Sequence, residues 1–359
     1  MILESPLNPL SIGNVGFNFA RELWRLKQFN GFFPVSDNYD LSAYEPVEEE
    51  FKDFLDAQRE VSLQNLSRGD SVLKCWHLND SQRKLTDNQY LYTFYEVDSP
   101  TPEEVAIVNL QNHTFFSSQE SADCFKAEGC ENVSYVPLGF DEDFRREVPV
   151  RKNPDKIHFI LVGKLEQRKN TQRIIELWLE KYGNNNDYQL TCVINNPFFK
   201  PEFQNQIIAN TLKGQSWSNI NFLPHLKTNL EMAALHKSAD IDLSGLSNGE
   251  GWGLPAFNST CLGLWSVVSD CSGHKGWATA DNSVLVPISG KQPCYDGAFF
   301  NEGGQFNQGS YYRIEDEAMM DGMDRAVSKV ADTNMAGLKL GEELTYANTI
   351  NQILNVETN

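Results

Sequence analysis

The second half of the chain alternates short apolar runs with amphipathic runs, and this alternation constrains the fold more than any other feature of the sequence. The apolar runs, each predicted to be a strand, are KIHFILVGK, YQLTCVI, INFLPH, IDLSG and WSVVSD. The intervening runs, each predicted to be a helix, are TQRIIELWLEKY, PEFQNQIIANTLK, NLEMAALHKSA and PAFNSTCLG. Repeated strand–helix units predict a parallel sheet with helices on both faces, and such sheets bind ligands at the carboxyl ends of their strands.

The first half of the chain shows the same alternation less regularly. Its predicted strands are MILES, VLKCW, QYLYTFY, HTFFSS and NVSYVP. Its predicted helices are FNFARELWRLK, PTPEEVAIVNL and QESADCFKAEG, with a glycine-containing turn before the first of them. We interpret this half as a second parallel-sheet domain, and a length of 359 residues fits two domains of similar size.

The polar, Pro-containing segment FDEDFRREVPVRKNPDK lies between two predicted strands and is the best candidate for a linker. We therefore predict two doubly wound α/β domains, residues 1–150 and 151–335. A terminal helix within residues 336–359 is expected to pack back toward the N-terminal domain. Residues 290–310, rich in Gly, Asn and Phe, are expected to form a long functional loop.

The charge and cysteine content disfavour several classes of function. Thirty Lys and Arg residues against 49 Asp and Glu residues give a net charge of −19, which opposes general nucleic-acid binding because it repels phosphates. The seven cysteines form no CxxC pair, and we interpret them as reduced residues of a cytoplasmic protein. No apolar stretch of about 18 residues and no signal-peptide pattern occurs, so no transmembrane span is predicted.

The segment SNGEGWGLPAFNS follows a predicted strand and leads into a helix predicted to begin at Pro255. Gly249, Gly251 and Gly253 should leave backbone amides uncovered next to the helix N-terminus, which favours an anion such as phosphate. Glu250, in the same loop, can accept hydrogen bonds from sugar hydroxyls. The alternative interpretation is a simple glycine-rich turn with a solvated glutamate.

A basic cluster is predicted at the end of the strand FILV, in the segment GKLEQRKN. Lys164, Arg168 and Lys169 would meet at the carboxyl end of a central strand, a place suited to binding a diphosphate. A solvated charged turn is the alternative.

Other candidate residues lie at predicted strand ends in the first half. Gly13 follows the first strand in SIGNVGFN, which lacks a full GxGxxG pattern and so is only a weak dinucleotide fingerprint. His77, Glu96 and Asp98 are acid–base candidates, with packing or capping as the alternative role. The other histidines are expected to be mostly structural. No HExxH, EF-hand or Cys/His pattern with metal-ligand spacing occurs, so no metal site is predicted.

Four segments resemble motifs of the retaining glycosyltransferases of the GT-B fold, family 4 in particular, and together they cover nearly the whole chain. FILVGKLEQRKNTQRIIELW is similar to the family's glycine–Arg/Lys segment with a lysine further on. HTFFSSQESADCFKAEGCENVSYVPLGFDEDF resembles a serine-led helix followed by a strand and a VPLGVD turn. YTFYEVDSPTPEEVAIVNLQ resembles a segment of a bacterial and viral branch. The most specific match is ADIDLSGLSNGEGWGLPAFNSTCLGLWSVVSDCSG, which resembles the family's EGFGLPxxEAMACGxPVVxSxxSG segment.

The resemblance implies two Rossmann-like domains facing across a cleft and a nucleoside diphosphate sugar as donor substrate. Glu250 matches a glutamate that contacts the transferred sugar, and Glu96 falls where the family places a polar group, often histidine, near the reacting sugar. With His77, these are the candidate catalytic residues. The candidate donor-binding residues are Gly13, Lys164, Lys169, Gly251, Trp252, Gly253, Leu254 and Asn258.

Two positions depart from the family pattern. Asn258 replaces the second glutamate, which usually holds the nucleotide ribose, and an amide lacks the charge and the two acceptor oxygens of a carboxylate. Lys164 stands where arginine is commoner, so the planar fork is lost but the positive charge remains.

The resemblance implies transfer of a sugar, with retention at the anomeric carbon, from a nucleoside diphosphate sugar to an unidentified acceptor such as a glycan or a lipid-linked sugar. Neither a metal nor a protein nucleophile would be needed. The alternatives are a nucleotide-sugar epimerase or sugar phosphorylase on the same fold, and a non-catalytic nucleotide-sugar-binding protein. The net charge weakens a further alternative, a transferase acting on modified DNA bases.

Overall fold

The N-terminal part of the chain forms a six-stranded sheet in which every strand pair is parallel. A computed structural model describes residues 1–35 and 39–357, without the side chains of residues 60–64. The strand order is β2-β1-β3-β4-β5-β6. The strands are β1 (Ile2–Glu4), β2 (Gly31–Phe33), β3 (Ser71–Cys75), β4 (Asn88–Thr93), β5 (His113–Phe116) and β6 (Val133–Tyr135). The helices are α1 (Ser11–Arg25), α2 (Glu49–Asn65), α3 (Pro102–Leu110) and α4 (Gln119–Ala127).

The C-terminal part forms a second parallel sheet, in the order β12-β11-β10-β7-β8-β9. Its strands are β7 (Ile157–Val162), β8 (Tyr188–Val193), β9 (Ile220–Phe222), β10 (Ile241–Gly245), β11 (Trp265–Ser269) and β12 (Ser283–Val286). The helices between them are α5 (Thr171–Tyr182), α6 (Pro201–Thr211), α7 (Asn229–Ser238) and α8 (Leu254–Cys261). The predicted α/β fold with two doubly wound domains is confirmed.

An antiparallel hairpin and three helices complete the chain. They are β13 (Gly290–Pro293), β14 (Ser310–Arg313), α9 (Asp316–Val327), α10 (Met335–Glu343) and α11 (Tyr346–Glu357). In the described part of the chain, no helix has the length and apolar character needed to cross a membrane. The seven cysteines are free, and six of them are buried.

Local sequence explains where several helices begin. The Thr101 hydroxyl accepts a hydrogen bond from the Glu104 amide at 3.2 Å, and the Glu104 carboxylate accepts one from the Thr101 amide at 2.8 Å. This reciprocal capping box satisfies two amides that the helix itself leaves unpaired, and Pro102 preorganises the first turn of α3. Thr228 and Glu231 form the same arrangement at the start of α7.

The first helix begins earlier than the sequence predicted, so Gly13 lies inside the helix and not in the turn before it. The sequence analysis placed Gly13 in a turn, but α1 starts at Ser11 and includes both Gly13 and Gly16. A Cβ atom on Gly13 would collide with Asn8, and one on Gly16 would collide with Ser5. The two glycines therefore allow the first turns of α1 to pack against the chain that follows β1.

The predicted linker is packed over its first part. Arg21 on α1 pairs with Asp141 at 3.2 Å and with Asp143 at 3.0 Å, and all three side chains are buried. Asn229 on α7 donates a hydrogen bond to Asp141 at 3.1 Å. Because buried carboxylates require such partners, the acidic residues of this segment join α1 to α7 instead of facing solvent.

Residues 290–310, expected to be a loop, are a hairpin that packs on the N-terminal domain. The strands β13 and β14 hold the ends of a loop at residues 294–309. Cys294, Phe300 and Tyr311 are buried in an apolar cluster with Val97 and Phe125 of the N-terminal domain. We refer to residues 287–314 as the hairpin segment.

The last helix, α11, returns to the N-terminal domain. Helix α10 packs on α8, and α11 packs on α1. The Thr349 hydroxyl donates a hydrogen bond to the Pro137 carbonyl at 2.8 Å, and the Phe140 amide donates one to the Leu344 carbonyl at 2.8 Å.

Candidate active site

Three loops bring the candidate residues together, and each follows the carboxyl end of a strand. Residues 163–170 follow β7, residues 246–253 follow β10, and residues 94–101 follow β4 of the other domain. Because β7 and β10 are neighbours in one parallel sheet, their loops emerge side by side. The Ser117 hydroxyl of the N-terminal domain donates a hydrogen bond to the Gly251 carbonyl at 2.7 Å, so the two domains touch at this place.

The glycines of residues 246–253 allow this close approach between the domains. A Cβ atom on Gly251 would lie 2.9 Å from the Cβ atom of Phe94, and one on Gly249 would lie 3.0 Å from the Glu96 carbonyl oxygen. The expectation that Gly249 and Gly251 leave their backbone uncovered is therefore wrong, since both residues are buried beneath the N-terminal domain.

The third glycine has a different role at the start of α8. Gly253 is the N-cap residue, with a φ of +85° in the left-handed region that favours glycine. No side chain caps this helix, and Pro255 lies in its first turn. The helix N-terminus thus keeps the features that favour an anion.

Glu250 lies at the centre of an ion cluster. One of its carboxylate oxygens is 2.6 Å from the Lys169 ammonium, and the other is 3.2 Å from the Arg168 guanidinium. Burial alone would raise the pKa of Glu250, but Arg168 and then Lys169 outweigh that effect and hold the pKa well below its ordinary value. The Glu250 side chain is therefore a carboxylate at physiological pH.

Arg168 is buried, which corrects its predicted role in contacting a diphosphate. Its guanidinium donates to the Gly249 carbonyl at 2.5 Å and to Glu166 at 2.8 Å, and it lies 3.7 Å from Glu96. With the Glu250 contact, these partners occupy the guanidinium, and the residue is only 6% exposed. Arg168 therefore ties the loops of the two domains to each other.

Lys164 and Lys169 are the cations of this cluster that remain accessible. The Lys164 side chain is 35% exposed, and its ammonium lies 5.3 Å from the ring centres of both Phe198 and Phe299. Lys169 is less exposed but reaches the loop beside α8 through Glu250. Lys164 lies 3.6 Å from Glu166 and Lys169 lies 2.6 Å from Glu250, so each of these cations is paired with a carboxylate that a bound anion would have to share.

His77 and Glu96 approach the cluster from the N-terminal domain. Glu96 is partly exposed and faces Arg168, and His77 is exposed beside it. Loss of hydration lowers the pKa of His77, the nearby Glu96 carboxylate opposes this shift, and Lys164 adds to it. The imidazole is therefore mainly neutral at pH 7.

Comparisons with known proteins give a family match over part of the chain and a similarity of fold over nearly all of it. Residues 142–288 match the family model described as glycosyl transferases group 1, and this stretch contains two of the three site loops. The fold is similar to that of Anabaena Alr3699/HepE in complex with UDP and glucose, with a TM-score of 0.66, 12% identity and coverage of 99% of each chain. The chain has the two-domain GT-B fold, and its residues 142–288 match a glycosyltransferase family model.

Two further solved structures share the fold of this chain. Sucrose-phosphate synthase from Thermosynechococcus elongatus has a TM-score of 0.67 and 12% identity, with 99% of this chain and 98% of that chain covered. Trehalose 6-phosphate synthase from Burkholderia multivorans has a TM-score of 0.56 and 15% identity, with coverage of 86% and 74%. No curated protein that was compared matches the chain significantly in sequence.

Some predicted donor-binding residues are not placed to offer their side chains to a ligand. Trp252 is 1% exposed, and its indole packs edge-on against Phe257 at 5.2 Å, so its side chain does not face a ligand. Gly13 lies within α1 and packs against Asn8, which precedes the helix. Leu254, the first residue of α8, remains partly exposed.

Asn258 lies about one turn into α8 and is 8% exposed. Its Oδ1 atom is buried, and no residue in the described part of the chain donates a hydrogen bond to it. A buried acceptor without a donor is unusual in a folded protein, so this amide is compatible with a ligand partner.

His274 belongs to the site and was missed by the sequence analysis. It is fully buried, with Nδ1 3.1 Å from the Ser269 carbonyl oxygen and Nε2 against Gly253, without a hydrogen-bond partner among the described residues. Burial lowers the pKa of His274 to about 4, and the Glu250 carboxylate opposes that shift. The residue follows β11, the neighbour of β10, so its position at a strand's carboxyl end was the available signal.

Within residues 1–35 and 39–357, no group of three or more His, Cys, Asp or Glu side chains is arranged to hold a metal ion. Metal independence remains a prediction, which activity in excess EDTA would test.

Proposed function

We propose that this protein is a glycosyltransferase that moves a sugar from a nucleoside diphosphate sugar to a hydroxyl of an acceptor, with retention at the anomeric carbon. The observation that carries the proposal is that Lys169 reaches Glu250 in the loop leading into the uncapped N-terminus of α8, with Lys164 on the same loop as Lys169. This arrangement suits a diphosphate with a sugar attached to it.

The two lysines and the helix N-terminus would bind the donor diphosphate. During transfer, the diphosphate leaves and its negative charge increases, so fixed positive groups stabilise the transition state more than the ground state. Lys169 contacts Glu250 in the loop before the helix start, and Lys164, on the same loop as Lys169, would also contact the diphosphate. This electrostatic role requires no metal ion.

Glu250 would bind hydroxyls of the transferred sugar. Both of its carboxylate oxygens already lie near cations, at 2.6 Å from Lys169 and 3.2 Å from Arg168, which makes the carboxylate a poor nucleophile. This pairing favours a mechanism in which the departing phosphate takes the proton of the acceptor hydroxyl on the same face of the sugar. The bond to the acceptor then forms on the face from which the diphosphate leaves, and the configuration is retained.

Glu96 and His77 would line the reacting sugar from the N-terminal domain. The neutral His77 imidazole can donate or accept a hydrogen bond, and Glu96 faces Arg168 across the junction of the domains. We propose that these two residues orient the sugar and the acceptor.

A thermal-shift screen over nucleoside diphosphates and their sugars tests the donor. UDP and UDP-glucose come first, because the structures of Alr3699/HepE contain them. A ligand at about 100 times its Kd should stabilise the protein by about 2.7 kcal/mol. Release of UDP from UDP-glucose, with and without EDTA, then tests turnover. If no nucleoside diphosphate raises the unfolding temperature, the proposal fails.

Asn258 favours a second candidate function, a nucleotide-sugar-binding protein without turnover. The usual carboxylate at this position is replaced by an amide whose Oδ1 atom has no donor in the described part of the chain. Tight binding of UDP-glucose without release of UDP would support this candidate, and slow hydrolysis of the donor would exclude it.

The cell compartment is also a proposal. All seven cysteines are free, which supports a reducing environment such as the cytoplasm.

A further inference from the structure

The edge of β14 touches the site loops of both domains. The Ser310 amide donates a hydrogen bond to the Asp98 carboxylate of the N-terminal domain at 2.7 Å. Two residues further on, the Tyr312 amide donates one to the Asn248 carbonyl of the C-terminal domain at 2.9 Å. Alternate residues of a strand direct their amides to the same edge, so β14 connects the two loops through one strand edge while its other edge pairs with β13.

The two partners of β14 lie close in sequence to the candidate catalytic carboxylates. Asp98 follows Glu96 by two residues, and Asn248 precedes Glu250 by two residues. Arg168 lies between these carboxylates, 3.7 Å from Glu96 and 3.2 Å from Glu250. The separation of the two loops therefore sets the distance between Glu96 and Glu250.

The hairpin segment is anchored on the N-terminal domain at other points as well. The Glu104 carboxylate accepts a hydrogen bond from the Asn307 amide at 2.7 Å, and the Thr101 hydroxyl donates one to the Gln305 carbonyl at 2.6 Å. The ring of Tyr311 is 1% exposed and packs on Phe300 at 5.1 Å. These contacts fix the position of β14 relative to residues 94–101.

We propose that β14 is a positioning element of the active site and that Asp98 is the positioning residue that receives it. By holding residues 94–101 and 246–253 at one separation, β14 keeps Glu96 and Glu250 on opposite sides of the same donor sugar. Asp98, one of the acid–base candidates from the sequence, acts through Glu96 and does not touch the substrate. The catalytic meaning of this inference rests on the proposed function.

Hydrogen exchange measured by mass spectrometry tests the connection without any ligand. Asp98→Ala removes the acceptor of the Ser310 amide, so exchange should rise at least tenfold both in residues 94–101 and, across the domain junction, in residues 246–253. The matched control is Glu315→Ala, which removes a carboxylate just after β14 that pairs with Arg313 instead. Exchange that rises only in residues 94–101 would overturn the inference.

Turnover gives a second measurement that a purely structural role would not change. With UDP-glucose as the probe, Asp98→Ala should lower kcat at least tenfold and change the Kd of UDP less than threefold. Asp98→Asn should recover part of the kcat, because the amide oxygen still accepts the Ser310 amide. A lower unfolding temperature with unchanged kcat would contradict a positioning role.

Two further results keep the inference separate from the proposed function. Ser310→Pro removes the amide hydrogen that Ser310 donates to Asp98, so it deletes the same hydrogen bond through the donor. This variant is tested in place of Asp98→Ala if Asp98→Ala does not fold. If UDP and UDP-glucose do not bind the wild-type protein, the donor proposed first is wrong, and the hydrogen-exchange result still decides whether β14 couples the two loops.

Discussion

The Lys169 ammonium lies 2.6 Å from a carboxylate oxygen of Glu250, so the cation proposed to bind the diphosphate is already paired with the carboxylate proposed to bind the sugar. Arg168 lies 3.2 Å from the other oxygen of Glu250. When the donor binds, its diphosphate has to share Lys169 with Glu250 or take its place. Because of this competition, substitution of Lys169 should weaken the binding of UDP, whereas substitution of Glu250 should strengthen it.

Lys169→Ala should weaken the binding of UDP roughly ten- to hundredfold. A hydrogen bond to a charged group contributes about 1.5–3 kcal/mol, and the loss would fall on the diphosphate. Titration calorimetry with UDP measures the effect. Lys339→Ala, on an exposed face of α10, is the control and should bind UDP as the wild type does. Equal affinities of the two variants for UDP would show that Lys169 does not bind the diphosphate.

Glu250→Gln should abolish most turnover and tighten the binding of free UDP by up to about tenfold. The neutral amide keeps the shape of the side chain but no longer competes with the diphosphate for Lys169, a gain of about 1 kcal/mol. Calorimetry with UDP and release of UDP from UDP-glucose measure the two effects. Weaker UDP binding in Glu250→Gln would show that Glu250 supports the diphosphate site instead of competing with it.

The sequence predicted the C-terminal sheet well because its strands and helices carry strong local signals. Helix α5 was predicted over the same residues that the structure shows, since its apolar positions recur at helical spacing. The strands β2 and β12 and the hairpin strands β13 and β14 were missed. Each has only three or four residues, and the hairpin is fixed by contacts with the distant Asp98 and Glu104, which no local pattern reveals.

The sequence located the site better than it assigned individual roles. Lys169 and Glu250 were found because each lies in a loop at a strand's carboxyl end, and the parallel sheet then brings those loops together. The burial of Arg168 and the inward position of His274 depend on packing between loops far apart in sequence. The start of α1 was predicted too late because the fit of Gly13 against Asn8 is visible only in three dimensions.

His274 should make the protein less stable as the pH falls below about 6.5. The pKa of this buried imidazole is lowered to about 4, so the unfolded chain takes up a proton near pH 6.5 while the folded protein does so only near its lowered pKa. The unfolding free energy should therefore decrease by about 2 kcal/mol from pH 7.5 to pH 5 through this residue.

The matched variants for this effect are His274→Asn and His225→Asn. Asparagine at position 274 has an amide that can donate to the Ser269 carbonyl in place of Nδ1, but it does not titrate. Urea unfolding at several pH values should show a shallower pH dependence for His274→Asn. The exposed His225 serves as the control, and its variant should keep the wild-type slope. Identical slopes in all three proteins would mean that His274 is not buried in the neutral form.

Asn258→Glu should tighten the binding of UDP by about 1 kcal/mol, since a charge-assisted hydrogen bond would replace a neutral one. The side chain lies about one turn into α8, and its Oδ1 atom is buried without a donor in the described residues, which the ribose hydroxyls could supply. Asn258→Gln is the matched control, because glutamine has the length of glutamate without its charge. Calorimetry with UDP and with a second nucleoside diphosphate measures both variants. Asn258→Glu could instead weaken the binding of every nucleotide while Asn258→Gln does not. That result would show that the pocket requires a neutral side chain at this position and that a carboxylate here does not bind the ribose.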